Sequence, residues 1–369
     1  VMMPSRGRPG ADPDATGSVE PHRRAGRVVA QSTYGGPDVL QVTVQPRPEP
    51  AVGEVLVPLN AASVNARDWH VMRGEPRVAR LMDRTLFARG GPRVPVRGTD
   101  FAGVVEAVGA GVTLPRPGDA VFGEGVGTFA DYAIASVDQV APAPANTTFE
   151  QAAALPLAAT TALLCLDETG LGAGGRVLIN GASGGVGTFA VQAAKATGLH
   201  VTAVVSTRNV ELVESLGADE AIDYTTTDFT RTGRTWDAVV DLVGNHRLRD
   251  LRPTVRAGGR LVLSGGGNSG EGRVLGPMRL LVGAMALARF QPFEVRAPQS
   301  VPTTEILERV AAMVVAGRLL PVVDRTFSLD DAAAAVRHVE TEHARGKVVV
   351  TVHVRRRIHH EPERPVEER

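Results

Sequence analysis

The feature that most constrains the fold is a glycine-rich turn between a predicted strand and a predicted helix. The apolar strand 177–180 runs into the turn 181–187, and a helix is predicted from about residue 187 to 197. Such a turn lets the backbone approach a pyrophosphate, whose charge then lies at the amide groups of the helix N-terminus. A glycine pattern alone is weak, but here the strand before it and the helix after it are both present. The residues predicted to hold the phosphates are Gly184, Gly185, Val186 and Gly187.

A parallel sheet is predicted around this turn. Short, unbroken apolar strands at 201–205, 238–242 and 261–263 alternate with helical segments such as 209–216. This alternation is typical of a parallel sheet covered on both faces by helices. Right-handed crossovers make such a sheet doubly wound. The predicted fold class is therefore α/β, with a doubly wound parallel sheet.

The chain before the turn has a different character. Residues 55–59, 101–108 and 130–134 form short predicted strands separated by Gly and Pro turns, which indicates an irregular, β-rich domain. The last strand, 348–352, is expected to return to that domain. The predicted division is a disordered tail at 1–26, a β-rich domain at 27–150, a nucleotide-binding domain at 151–290, a return segment at 291–353 and a disordered tail at 354–369; both tails are charged and contain proline.

The residues after the second strand of the nucleotide fold predict the cofactor. An acidic side chain there accepts hydrogen bonds from the ribose hydroxyl of NAD and repels the additional phosphate of NADP. The strand ends at Ser206, followed by Thr207, Arg208 and Asn209, without a carboxylate. An arginine gives a charge-assisted, bidentate contact to a phosphate. The sequence therefore predicts NADPH as the cofactor.

Composition excludes several other functions. The 40 basic and 40 acidic residues cancel and only 4% of residues are aromatic, which argues against nucleic acid as a partner. The apolar stretch 275–290 is interrupted by Arg279 and Arg289 and is shorter than the ~20 residues that span a bilayer, so no membrane segment is predicted. Cys165 is the single cysteine, which excludes an internal disulfide and favours a cytoplasmic location.

Motifs along most of the chain follow the order of one known family. They are residues 34–37 (YGGP), 63–65 (SVN), 98–103 (GTDFAG), 117–123 (PGDAVFG), 154–156 (ALP), 182–187 (ASGGVG) and 346–349 (GKVV). Together they resemble the quinone oxidoreductase and zeta-crystallin branch of the medium-chain dehydrogenase/reductase superfamily. Residues 65–69 (NARDW) resemble the subgroup that includes mitochondrial reticulon-interacting proteins.

The resemblance implies a GroES-like substrate domain, a Rossmann domain, a cofactor in the cleft between them and a homodimer joined at the edge of the nucleotide-binding sheet. Asn65 is then expected beside the nicotinamide, and Lys347 is either a cofactor contact or an ordinary surface lysine. The other implied cofactor contacts are Thr161 at the ribose or phosphates, Ser206, Arg208 and Tyr224 at the 2′-phosphate, and Gly244, Ser264 and Gly265 at the nicotinamide half.

No metal is predicted. Zinc-dependent relatives need a Cys early in the substrate domain, a Gly-His-Glu motif and a four-cysteine lobe, and a catalytic zinc requires three N, S or O ligands. Here Asn65 stands near the first ligand position, and Thr99 and Asp100 replace the His-Glu pair. His70 has no partner at ligand spacing, so a core or solvent-facing role is expected for it, and Cys165 is expected to be buried packing.

Without a metal, the protein has no Lewis acid to activate a substrate. Hydride transfer is then easiest to an acceptor that conjugation already polarises, because the protein needs only to position it. The predicted substrate is therefore a small molecule, a quinone or an α,β-unsaturated carbonyl. Asp68 is the candidate catalytic acid beside Asn65, although it can also cap a helix or pair with Arg73, and water is the alternative proton donor. Tyr34 is expected to support the fold rather than to donate a proton. The alternatives are a reductase or dehydrogenase of simple aldehydes, ketones or alcohols, and a non-catalytic NADPH-binding protein.

Overall fold

The computed structural model describes residues 25–78, 80, 83–265, 278–299, 301–342 and 344–352. The predicted tails, 1–26 and 354–369, lie outside these residues apart from Ala25 and Gly26. The first part of the apolar stretch 275–290 also lies outside them. Within the described residues no helix is long and apolar enough to cross a membrane.

The first part of the chain forms a two-stranded antiparallel sheet, β1 with β2, and a larger antiparallel sheet centred on one long strand. Its elements are β1 (Ala25–Ala30), β2 (Gln41–Pro46), β3 (Glu54–Val64), α1 (Ala66–Arg73), β4 (Asp100–Val104), β5 (Ala107–Val108), β6 (Ala120–Glu124), β7 (Tyr132–Ser136) and β8 (Val140–Pro142). Strand β3 pairs antiparallel with β4, β5 and β7, and the sheet continues through β6 to β8. This arrangement confirms the predicted β-rich, GroES-like part of the fold.

The middle of the chain forms the predicted parallel sheet. Its elements are α2 (Phe149–Ala153), α3 (Pro156–Thr169), β9 (Arg176–Asn180), α4 (Gly185–Ala196), β10 (His200–Val205), α5 (Val210–Ser215), β11 (Glu220–Asp223), β12 (Trp236–Asp241), α6 (Leu248–Leu251), β13 (Val255–Leu263), α7 (Met278–Leu287) and β14 (Glu294–Arg296). All strand pairs are parallel, in the order β11-β10-β9-β12-β13-β14. The chain order reverses between β9 and β12, and ligands of such sheets bind outside the strand carboxyl ends at that point.

The chain then returns to the antiparallel sheet. After α8 (Thr304–Val315) come β15 (Val323–Ser328), α9 (Ala332–Thr341) and β16 (Lys347–Thr351). Strand β16 pairs antiparallel with β3 and parallel with β15. The nucleotide-binding sheet extends further than predicted, because β14 pairs with β13 beyond the proposed boundary at residue 290.

Two helices, α2 and α3, follow the antiparallel sheet. Ala154 ends the first, and Pro156 occupies the first turn of the second, where its missing N–H costs nothing. Cys165 is fully buried in this second helix, as expected, and burial raises the pKa of its thiol to about 11.

One apolar core joins the two sheets. It contains Ala61 and Phe122 of the antiparallel sheet together with Ile179 of the parallel sheet and Phe189 of α4. All four side chains are fully buried. Because close-packed interiors deform little, this shared core fixes how the ends of β3 and β16 face the carboxyl ends of the parallel strands.

Candidate functional site

A cleft of about 1260 Å³ opens where the two sheets meet. Its walls come from the carboxyl ends of β9, β10 and β12, the junction of β3 with α1, and the start of β16. The predicted site residues that line it are Asn65, Thr161, Gly184, Gly185, Val186, Gly187, Ser206, Arg208, Tyr224, Ser264, Gly265 and Lys347. Asp68 and Gly244 are not part of this lining. The fold therefore brings together residues that are separated by up to 282 positions in the chain.

The glycine turn is a close-packed cradle at the N-terminus of α4. Gly184 is the N-cap residue and has an extended backbone, while Gly181 has a φ of +86°, which favours glycine. A Cβ atom at Gly187 would lie 2.1 Å from the carbonyl oxygen of Gly181. The helix therefore starts in direct contact with the end of β9, and its first residues, Gly185 to Gly187, line the cleft.

Asn209 ties the glycine turn to the next strand, a role that sequence reasoning missed. It is 4% exposed, and its Nδ2 donates to Ser183 Oγ at 3.0 Å and to Ser206 Oγ at 3.2 Å. Since Ser183 lies in the turn and Ser206 follows β10, these bonds fix the separation of the two cleft walls. The available signal was a polar side chain four residues after a strand end, where buried Asn requires hydrogen-bond partners.

Asp241 shapes the floor of the cleft and was also missed. It is fully buried at the end of β12, and its Oδ1 accepts hydrogen bonds from Asn180 Nδ2 at 2.9 Å and from the N–H groups of Val243 and Gly244 at 3.0 Å each. Gly244 therefore acts through this loop, whose neighbours Val243 and Asn245 line the cleft. The available signal was a strand that ends in Asp and is followed, three residues later, by a glycine in a turn.

An acid lies behind the cleft residues Thr207 and Tyr224, near Arg208. Arg208 donates to the carbonyl oxygen of Glu342 at 3.1 Å, which connects this wall to the segment after α9. Asp223, beside Tyr224, accepts hydrogen bonds from the hydroxyls of Thr207 at 2.5 Å and Thr225 at 2.7 Å. These hydrogen bonds, with Thr207 first, lower the pKa of Asp223. Sequence reasoning considered only the end of β10 and did not include this carboxylate of the next strand.

Lys347 is buried rather than on the surface. It is 3% exposed, its Nζ donates to Asn65 Oδ1 and to the carbonyl oxygen of Val64 at 3.3 Å, and it lies 3.6 Å from Asp100 Oδ2. Burial lowers the pKa of Lys347, while Asp100 opposes that shift. The interpretation as an ordinary surface lysine is therefore wrong, because its ammonium is surrounded by acceptors.

Asp68 caps the helix that follows Asn65. Its Oδ2 accepts a hydrogen bond from the backbone N–H of Asn65 at 2.7 Å, and its side chain is buried. Burial, and to a smaller extent Asp100, raises its pKa to about 6. Arg73 pairs with Glu340 instead of Asp68. Of the predicted roles, the structure gives Asp68 the capping geometry and places it behind Asn65, off the cleft wall.

The remaining candidates have structural contacts. The Tyr34 hydroxyl donates to the Ala88 carbonyl at 2.8 Å, so it supports the loop that carries Ala88, as expected. His70 lines the cleft, stacks on Trp69 with ring centroids 3.7 Å apart and contacts the Glu75 carbonyl through Nδ1 at 3.1 Å. Within the described residues, no group of three or more His, Cys, Asp and Glu side chains is arranged to hold a metal ion.

Glu124 is a buried acid that the sequence did not single out. It is 6% exposed, lies opposite Asp100 in the pairing of β4 with β6, and has one oxygen 3.7 Å from the guanidinium of Arg67 on the cleft wall. Burial, reinforced by Asp100, raises its pKa to about 8. The loss of hydration outweighs the Arg67 contact because that contact is long and Arg67 is partly exposed.

The glycine turn yields a test. In an exposed helix, Gly→Ala is stabilising by about 1 kcal/mol. We expect Gly187→Ala instead to destabilise the protein by about 2 kcal/mol or more, because its Cβ would overlap the Gly181 carbonyl. Gly184→Ala is the matched control, since its Cβ would lie 3.5 Å from the same oxygen. Urea unfolding measures both, and equal effects would contradict the close-packed cradle.

Glu124 yields a pH test. Folding raises its pKa from 4.5 to about 8, so between these values the folded state holds a proton that the unfolded state has lost. Stability therefore falls as pH rises through this window, by at most about 1.4 kcal/mol per pH unit. We expect Glu124→Gln to remove this part of the slope in urea unfolding measured from about pH 5 to 8. Exposed Glu308→Gln is the control, and a Glu124→Gln slope equal to that of the wild type would refute the assignment.

Comparisons with known proteins agree with this architecture. Residues 51–145 match the alcohol dehydrogenase GroES-like domain family, and residues 216–350 match the zinc-binding dehydrogenase family. The chain is similar over 89% of its length to a mycobacterial protein solved with NADPH, with a TM-score of 0.74, 27% identity and complete coverage of that chain.

Three curated relatives are similar over most of the chain. A chloroplastic quinone oxidoreductase of Triphysaria versicolor is 33% identical, with 88% of this chain and 98% of the relative covered. The mouse mitochondrial NAD(P)H oxidoreductase RTN4IP1 is 34% identical, with 86% of this chain and 87% of the relative covered. A tomato (Solanum lycopersicum) 2-methylene-furan-3-one reductase is 32% identical, with 86% of this chain and 76% of the relative covered. The chain therefore belongs to the medium-chain dehydrogenase/reductase superfamily of oxidoreductases, in the branch that contains the quinone oxidoreductases and the reticulon-interacting NAD(P)H oxidoreductases.

Proposed function

We propose that this protein is an NADPH-dependent reductase that transfers hydride to a quinone or an α,β-unsaturated carbonyl without a metal ion. The observation that carries the proposal is the composition of the cleft. It combines a glycine cradle at a helix N-terminus with the Asn65 amide, whose oxygen is held by a buried lysine. A dinucleotide with its phosphates at the cradle would extend toward Asn65.

The residues of the cradle fit a nicotinamide dinucleotide. The contact between Gly187 and Gly181 leaves no room for a side chain at Gly187, and the glycines of the turn present backbone N–H groups to an anion. The relatives named NAD(P)H oxidoreductases and the neighbour solved with NADPH support a cofactor of this class. Ser264 and Gly265, at the end of β13, line the cleft on the side expected for the nicotinamide half.

The preference for NADPH depends on the balance between Arg208 and Asp223. Arg208 lines the cleft after β10, together with Ser206 and Tyr224. The Asp223 carboxylate already accepts hydrogen bonds from two threonine hydroxyls, which reduces its capacity to accept from a ribose hydroxyl. A guanidinium remains the natural partner of a 2′-phosphate.

The acceptor follows from the polar groups near Asn65. Bound NADPH supplies the hydride. The chain itself contributes an amide donor at Asn65 and apolar walls that include Leu86, Phe87 and Leu157. These residues position an acceptor and exclude water, which is sufficient for a carbonyl whose conjugation already activates it. The relatives named quinone oxidoreductase and 2-methylene-furan-3-one reductase support this substrate class.

The contacts of Lys347 support a metal-free mechanism. Asn65 and Asp100 occupy the positions at which zinc-dependent relatives are expected to carry ligands, and both contact the ammonium of Lys347. A buried cation already among these oxygen atoms disfavours the binding of a divalent cation by charge repulsion. A reductase of simple aldehydes or ketones is the weaker candidate, because unconjugated carbonyls gain most from such a Lewis acid. A non-catalytic NADPH-binding protein would need only the cradle.

We also propose a cytoplasmic homodimer. The short strand β14 is the edge of the parallel sheet, and exposed apolar side chains lie on and after the neighbouring helix α7: Val282, Met285 and Phe290. A sheet edge beside apolar surface is a natural place for a second copy to pair. The buried single cysteine suits a reducing compartment.

The activity prediction is measured by the loss of reduced-nicotinamide absorbance. We expect turnover of quinones and enones, with NADPH preferred over NADH and no loss of activity in EDTA. Simple aldehydes are the comparison substrates. Activity restricted to aldehydes or alcohols and abolished by EDTA would refute the proposal, and tight NADPH binding without any turnover would favour the non-catalytic alternative.

The cofactor prediction uses Arg208→Gln. We expect the KM for NADPH to rise by about 10- to 100-fold, because a charge-assisted contact to the 2′-phosphate is worth roughly 1.5–3 kcal/mol. The KM for NADH should stay within about threefold, since NADH lacks that phosphate. Arg231→Gln, an exposed arginine outside the cleft lining, is the control. An equal rise for both cofactors would contradict the role of Arg208.

A further inference from the structure

The two polar groups of the Asn65 side chain have different partners. Its Oδ1 accepts a hydrogen bond from Lys347 Nζ, and its Nδ2 donates to Thr99 Oγ1 at 3.4 Å. An ammonium has only donors, so it fixes the oxygen of the amide toward Lys347 and the NH2 group away from it. Since Asn65 lines the cleft, the group that it can offer to a ligand is an N–H donor.

Lys347 is itself held from both sides of the cleft. Its stem lies against the glycine turn, where a Cβ at Gly185 would come within 3.0 Å of Lys347 Cδ. The preceding residue, Gly346, donates its N–H to the Ser183 carbonyl at 2.9 Å. On the other side Asp100 is fixed by hydrogen bonds from Ser63 Oγ at 3.2 Å and the Leu157 N–H at 3.3 Å.

The acceptors around the Lys347 ammonium are protein atoms. It donates hydrogen bonds to Val64 O and Asn65 Oδ1, and the carboxylate oxygen Oδ2 of Asp100 lies 3.6 Å away as an ion-pair partner. A direct contact of Lys347 with the cofactor phosphates would compete with these buried partners. Its position next to the cradle therefore serves Asn65 rather than the pyrophosphate.

We propose that Lys347 is a positioning residue that orients the Asn65 amide so that its NH2 group donates a hydrogen bond to the carbonyl oxygen of the acceptor. This inference rests on the proposed function and names the group that recognises the substrate. When hydride adds to the conjugated carbon, an electron pair moves to the carbonyl oxygen, and water then protonates the resulting enolate or hydroquinone anion. A fixed donor at that oxygen stabilises the developing charge, and the adjacent ammonium polarises the amide further.

A double-mutant cycle tests the inference. The variants are Lys347→Met, Asn65→Ala and the combination, and Lys195→Met is the control, because Lys195 is the chain's other lysine and pairs with Asp219 outside the cleft lining. We expect Lys347→Met to lower kcat for menadione by about 100-fold, as the loss of one such donor does. In the Asn65→Ala background the same change should cost less than about threefold, because the two residues act as one unit.

A binding measurement keeps the test independent of turnover. Quenching of tryptophan fluorescence in the presence of NADP+ gives the affinities for menadione and for methylnaphthalene, which has a similar shape but no carbonyl group. We expect the wild type to prefer menadione by roughly 3- to 10-fold, the contribution of one hydrogen bond. Asn65→Asp, which keeps an oxygen facing Lys347 but removes the donor, should abolish that preference even if Lys347→Met fails to fold.

The outcomes separate this inference from the proposed function. A wild type that prefers menadione in binding but reduces no quinone or enone would end the proposed function and leave the orientation of Asn65 supported. The inference is overturned if the wild type binds both ligands equally, or if Lys347→Met is as harmful in the Asn65→Ala background as alone. It is also overturned if Lys347→Met weakens NADPH binding more than about 10-fold while the menadione preference persists, because Lys347 would then bind the cofactor.

Discussion

The buried contact of Lys347 with Asn65 and Asp100 is the interaction on which the site depends. It connects the start of β16, the end of β3 and the start of β4 at the base of the cleft. A buried ammonium is costly unless acceptors surround it. The arrangement is therefore retained only while all three segments stay in register. The shared apolar core maintains that register, and because the core deforms little, the side chains of the site are held in fixed positions.

The parallel sheet supplies the other half of the site by its topology. The strand order reverses between β9 and β12, so the loops that follow these strands diverge and leave a crevice. Buried polar side chains set the shape of that crevice: Asn209 joins the glycine turn to the end of β10, and Asp241 organises the loop after β12. Neither side chain is part of the usual glycine signature, yet each determines where a dinucleotide could lie. Polar groups buried at strand ends are thus as informative as the glycines themselves.

Several residues show why sequence reasoning stopped where it did. Asp223 is distant from Arg208 in sequence, and only the pairing of β10 with β11 brings the two strand ends together. Glu124 has the appearance of an ordinary strand-end glutamate until its pairing with Asp100 places two carboxylates in the same buried environment. Asp68 illustrates the opposite case, because its spacing from Asn65 allowed a helix cap, a salt bridge or catalysis, and the local hydrogen bond selected the cap.

The sequence by itself determined the fold class and the glycine turn, because strand and helix periodicity and the spacing of a turn are local properties of the chain. The set of residues near the cleft followed from the resemblance of its motifs to a known family. The sequence also restricted the chemistry, since a chain with one cysteine cannot build a cysteine-based metal site. Only the tertiary structure decided that Lys347 is buried, that its ammonium lies beside the Asp100 carboxylate and that it donates to Asn65. That decision depends on β16 pairing with β3 across more than 280 residues, and long-range register of this kind is set by core packing rather than by local sequence.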